Sequence, residues 1–126
     1  MADLGKLLLR VLTGGLMFFS HGLGKLTGFS TMALGFPDPL HVGSHVSLSL
    51  TIFAEAICSL LVAFGLFTRL ASIPPMMTML VAALVIHAQD PWGKKEFALL
   101  YFIPFLAISL IGPGKYSLDE MRRKRR

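Results

Sequence analysis

Four apolar stretches leave this chain few ways to fold: about Leu4–Leu23, Val46–Phe67, Leu70–Ala88 and Phe97–Ile111. A helix that crosses the hydrocarbon core of a bilayer needs roughly 20 apolar residues, within a range of about 17–25. The first three stretches meet this. The fourth is short, but Lys95 and Glu96 at its start can reach toward the interface while local thinning of the bilayer absorbs the rest. A water-soluble fold would have too little polar surface to cover its core, since 54% of the 126 residues are hydrophobic and only 15% are charged. Soluble domains carry about 25% charged residues. The sequence therefore predicts one all-α membrane domain over residues 1–126, a bundle of four transmembrane helices.

The connections carry turn chemistry. Thr27–Gly43 contains Gly28, Gly35, Pro37, Pro39 and Gly43 and makes the longest loop, whereas Thr68-Arg69 forces a tight hairpin between the second and third stretches. Gln89–Gly93 is a turn holding the interfacial Trp92. Gly112-Pro113-Gly114 stops the fourth helix. Pro74 and Pro75 fall in the first turns of the third helix, where a missing N–H matters little, and Pro104 should kink the fourth as a packing device.

Orientation follows from the basic residues. With both termini on one side, that side holds nine of the twelve Lys and Arg: Lys6, Arg10, Arg69, Lys115 and the run Arg122, Arg123, Lys124, Arg125, Arg126. The other side holds Lys25, Lys94 and Lys95. The positive-inside rule then puts both termini in the cytoplasm. The basic tail, residues 115–126, reads as an anchor to anionic lipid head groups rather than a nucleic-acid contact, because the rest of the chain suits hydrocarbon. The first stretch contains Arg10 and lacks an A-x-A-like exit, so it is expected to be retained rather than cleaved.

Ionisable groups inside a membrane normally face partners, since each costs about 2.5–3.5 kcal/mol to insert. At 100° per residue, Arg10, Gly14, His21 and Lys25 share one stripe of the first helix, and Ser44, Ser47, Thr51, Glu55 and Ser59 share one face of the second. Glu55 sits near mid-helix and calls for a basic partner, either Arg10 or Lys25. His87 and Glu96 join His21 and Lys25 near the outer end. The polar core is thus expected to comprise Arg10, His21, Lys25, Glu55, His87 and Glu96, and to serve as an ion pair, a ligand pocket or a proton path. His41 and His45 are spaced i, i+4, but no HExxH or Cys/His cluster accompanies them, and no metal site is expected. The lone Cys58 rules out an intrachain disulfide or a CxxC pair and reads as a small hydrophobe. Met76, Met77 and Met79 read as packing.

With these residues assembled, the chain resembles the DoxX family of small bacterial membrane proteins. The resemblance runs over nearly the whole length and rests on Leu9-Arg10, Ser20-His21-Gly22 with Lys25, Ala54-Glu55, Gly65-Leu66-Phe67-Thr68-Arg69, His87, Glu96 and Gly112–Asp119. It implies a four-helix protein of the bacterial inner membrane, with shared charged positions at Arg10, His21, Lys25, Glu55, Arg69, His87 and Glu96. Members of that family are membrane components of redox systems. They include a subunit of a thiosulfate:quinone oxidoreductase and a partner in an oxidoreductase complex handling thiol and oxidative stress. The resemblance therefore implies an accessory subunit of a quinone-linked oxidoreductase, with quinone or a small oxoanion as ligand near the outer leaflet. The alternatives are a small transporter or proton path, and a structural anchor packed through Gly14, Gly15 and the Gly24–Gly28 spacing. Partners consistent with these readings are an oxidoreductase or a second copy of the chain.

Overall fold

The computed structural model describes residues 1–126 and is helical throughout, with no strands. Helix α1 runs Ala2–Thr27, α2 is the short Phe29–Met32, α3 runs Ser44–Phe64 and α4 Thr68–Ile86. Helix α5 runs Trp92–Ile111 and α6 Leu118–Lys124. Helices α1, α3 and α4 are long and apolar enough to cross a membrane. Helix α5 has 20 residues, but Lys94, Lys95 and Glu96 lie near its start, so its apolar stretch begins only at Phe97.

The helix ends differ from expectation for local reasons. Helix α3 stops at Phe64 rather than Phe67 because Gly65 turns left-handed, with φ 76°. The Leu66 N–H then bonds the Leu61 carbonyl at 2.9 Å and the Gly65 N–H bonds that of Val62 at 3.1 Å, a Schellman ending. The long loop after α1 contains α2. Helix α5 ends where anticipated, at Gly112 with φ 84°. The basic tail forms α6, begun by Ser117, whose Oγ accepts from the Glu120 N–H at 3.2 Å. This is one half of an S-x-x-E capping box.

Helix α1 packs on α3 and α5, and α4 packs on the same two. Met17, Cys58, Val62, Met79, Phe105 and Ile108 meet in the main core, with Cys58 buried as a plain hydrophobe. Two glycines let α1 touch the backbone of α3. A Cβ on Gly14 would lie 2.5 Å from the Ser59 carbonyl oxygen, and one on Gly22 would overlap the Glu55 carbonyl. Gly15 and Gly24, read from the sequence as packing positions, have nothing within reach of a Cβ; the pair that works is Gly14 with Gly22.

Three helices contain a π-helical turn: Phe18–Gly22 in α1, Phe53–Cys58 in α3 and Ala82–Ile86 in α4. Each inserts an extra residue in its turn and re-aims the side chains beyond it, a feature common at functional sites. His21 and Glu55 lie within such turns, and His87 immediately follows the third.

Candidate functional site

Two polar assemblies occupy opposite ends of the fold. The first lies at the terminal end. The Arg10 side chain, 1% exposed, donates from Nη1 to the carbonyls of Val62 (3.3 Å) and Ala63 (2.9 Å), from Nε to Pro113 (2.9 Å), and from Nη2 to Tyr116. The first two acceptors belong to the last turn of α3, where unpaired carbonyls and the helix dipole favour a cation. Arg10 therefore does not pair with Glu55. Five donors in a planar fork fit four converging carbonyls better than one carboxylate, and that end of α3 lies two helical turns beyond Glu55.

Asp119 completes this end. Its carboxylate accepts from the backbone N–H groups of Phe67 (2.7 Å) and Thr68 (2.8 Å) and from Thr68 Oγ1 (2.7 Å). It thereby caps the N-terminus of α4 from a distant part of the chain. Its own N–H donates to the Gly65 carbonyl at 2.8 Å. Arg122 stacks over the Phe67 ring at 4.6 Å. The segment 112–119 thus straps the α3–α4 hairpin to α1. Arg69, read from the sequence as part of the tight hairpin, is exposed with its guanidinium against Gly112. Pro104 lies inside α5, as anticipated.

The second assembly surrounds a cavity of about 550 Å³ at the loop end. Its walls come from α1, α3, α4 and α5, and its roof is the loop Phe36, Pro37, Pro39 and Leu40. Asp38 pins that roof, accepting from Ser47 Oγ (2.7 Å), the Gly43 N–H (2.8 Å) and the Val42 N–H (3.0 Å). The Ser47 hydroxyl, with help from the two backbone donors, holds the Asp38 carboxyl below its ordinary value of 3.8. His87 Nδ1 meets Asp90 Oδ2 at 2.7 Å. That bond, aided by Lys94, His87 and Lys95 charges, likewise lowers the Asp90 pKa.

At the base, Lys25 Nζ lies 2.6 Å from Glu55 Oε2, with side-chain exposures of 19% and 4%. Of the two partners considered for Glu55, the structure selects Lys25. His21, Lys25, Glu55 and His87 all line the cavity, but Arg10 and Glu96 do not. Glu96 is exposed near the start of α5. Thr51 and Thr78 also line the cavity and spend their hydroxyl donors on the carbonyls of Ser47 and Pro75. The ionisable set is therefore what remains for a ligand. His41 and His45 lie outside the cavity, the latter against Phe29, and no group of three His, Cys, Asp or Glu side chains is gathered for a metal.

Sequence reasoning missed the Asp119 cap, the roof loop and Lys94, which also lines the cavity. The Ser117–Glu120 spacing was the available signal for a helix that would position Asp119.

Comparison with known proteins places this geometry in context. The DoxX family profile matches residues 5–88. A Bacillus subtilis protein provisionally named oxidoreductase CatD is 33% identical over 93% of this chain and 86% of its own. The Escherichia coli inner membrane protein YqjF is 27% identical over 98% of this chain and 95% of its own. An uncharacterized membrane protein of Mycobacterium tuberculosis is 30% identical over 88% of this chain and 77% of its own. No solved structure matches the chain. The chain belongs to the DoxX family of membrane proteins.

Proposed function

We propose that this DoxX protein is the membrane-embedded accessory component of a redox system and holds a quinone in the loop-end cavity. The observation that carries the reading is a cavity with largely apolar walls in which His21, Lys25, Glu55 and His87 converge. Small-ligand sites have this character and volume. The provisional oxidoreductase name of the Bacillus subtilis relative supports the redox setting. Lys25 and Glu55 cancel in charge, so a neutral head group fits better than a small oxoanion, which must compete with Glu55 for the ammonium. The oxoanion is the second reading, and Lys94 at the exposed side of the cavity favours it.

In the proposed arrangement α5 is the fourth membrane pass. The nine-to-three distribution of basic residues supports cytoplasmic termini, which puts the cavity near the outer leaflet. The Escherichia coli relative supports the bacterial inner membrane. The basic residues of α6 would then rest on anionic head groups. A transport path is disfavoured by packing. Along α1 and α3, Met17 and Val62 stand between the cavity residues and the Arg10 side chain at 0% exposure, with Phe105 and Ile108 equally sealed.

Titration of a short-tailed quinone and of thiosulfate into the purified chain tests the reading, with Glu55→Gln and His21→Ala as variants. Quinone should bind, and each variant should weaken it by about tenfold, Glu55→Gln by releasing the Lys25 ammonium that donates to the head group and His21→Ala by removing the ring packed beside it. Binding of neither ligand, or binding indifferent to both substitutions, removes the proposal.

A further inference from the structure

His21 Nε2 stands alone as a buried side-chain nitrogen or oxygen with no hydrogen-bond partner. Its ring packs against α5, T-shaped to Tyr101 with centroids 5.0 Å apart and tilted against Phe97 at 5.6 Å. Those two rings also meet each other at 5.6 Å, so the aromatic packing is continuous. Aromatic faces carry negative charge density. A buried nitrogen on a ring packed between two such side chains is better protonated than left as a bare lone pair, because an N–H finds weak attraction at a neighbouring π face whereas a lone pair finds none. A neutral imidazole has one N–H and one acceptor nitrogen. Placing the proton on Nε2 therefore leaves Nδ1 as the acceptor, on a ring that lines the cavity. Lys25, bonded once to Glu55, keeps further N–H donors at the same base.

We infer that His21 is held as the Nε2–H tautomer and that the cavity is built for a hydroxyl head group, which can donate to His21 Nδ1 while accepting from Lys25. A carbonyl head can use only Lys25. On the quinone reading above, on which this rests, the preferred ligand is the reduced hydroquinone form. The aromatic packing, not the ion pair, sets that preference.

The experiment uses the full chain in detergent or nanodiscs with ¹⁵N-labelled histidine, the His21 signals being assigned by their absence in His21→Phe. The probes are a tailed 1-naphthol and its methyl ether, alike in shape but differing in the donated proton. The neutral Nε2–H pattern is expected before any ligand is added. The naphthol should bind about tenfold more tightly than the ether, should shift the Nδ1 resonance, and should lose its advantage in His21→Phe. The opposite tautomer, or equal affinity for both probes, overturns the inference even if quinones bind. Failure of quinone and both probes to bind overturns the cavity reading itself, and the tautomer is still read from the spectrum.

Discussion

The terminal end and the loop end of this fold both bury charge, and they treat it in opposite ways. At the terminal end every invoked donor has an acceptor. Arg10 is spread over four carbonyls, and Asp119 takes three donors from one hairpin. Arg10 lines neither of the two main cavities, although one of about 420 Å³ opens at this end beside Lys115 and Tyr116. At the loop end a single ion pair stands beside an unpartnered imidazole nitrogen under a loop roof, with a cavity in front. Polar groups that are fully satisfied hold helices together, whereas groups left in surplus are available to something else. On the proposed reading, one end serves stability and the other ligand binding.

The sharpest way to break this contrast is Arg10→Met. Four carbonyls lose their donors, and no titration can neutralise a carbonyl, so we expect a loss of about 3–5 kcal/mol, in the range for breaking a buried charged arrangement. Thermal melts in detergent, read by the single Trp92, measure it. A change below about 1 kcal/mol would show that water replaces the guanidinium. Lys25→Met should have a smaller effect on stability, about 1–3 kcal/mol, because a single charged hydrogen bond is lost there rather than four. The double variant Lys25→Met with Glu55→Gln should recover much of that stability while ligand binding stays impaired. Recovery of both would move Lys25 out of the binding role.

Asp119→Ala tests the strap. Losing the cap on α4 should lower stability by about 1–2 kcal/mol and leave cavity affinity within about twofold, since the two ends share no partner. A large fall in affinity would couple the ends. The smallest effect belongs to the roof. Asp38 titrates below its ordinary value when folded, so its contribution is complete above about pH 4 and fades as pH falls through the lower folded value. Protease cleavage within residues 36–43 should accordingly rise as pH drops below 4 and stay flat from pH 5 to 8. Asp38→Asn should flatten the acid rise.

The sequence disclosed the helices more readily than their contacts. Apolar length and Gly/Pro punctuation located every long helix to within a few residues, and Gly112 ended α5 as read. Glu55 was recognised as needing a base, but two candidates in one stripe of α1 could not be separated. The choice depends on helical phase, and the π turns at Phe18–Gly22 and Phe53–Cys58 change that phase in both helices. Regular 3.6-residue geometry has no means of anticipating them. The true acceptors of Arg10 were invisible for another reason. They are backbone carbonyls, which every residue carries, and two of them lie more than 100 positions away. Glu96 was misjudged because an acidic residue beside an apolar run looks alike whether it faces inward or out to solvent.

The strap also has a temporal meaning. Helices α1, α3 and α4 are synthesised well before residue 119, yet the α3–α4 hairpin acquires its carboxylate cap, and Arg10 two of its acceptors, only when the segment 113–119 has emerged. A nascent chain stalled short of that point holds a cationic side chain and bare amide groups at its cytoplasmic face in the proposed orientation. Emergence of residues 113–119 is what closes the molecule.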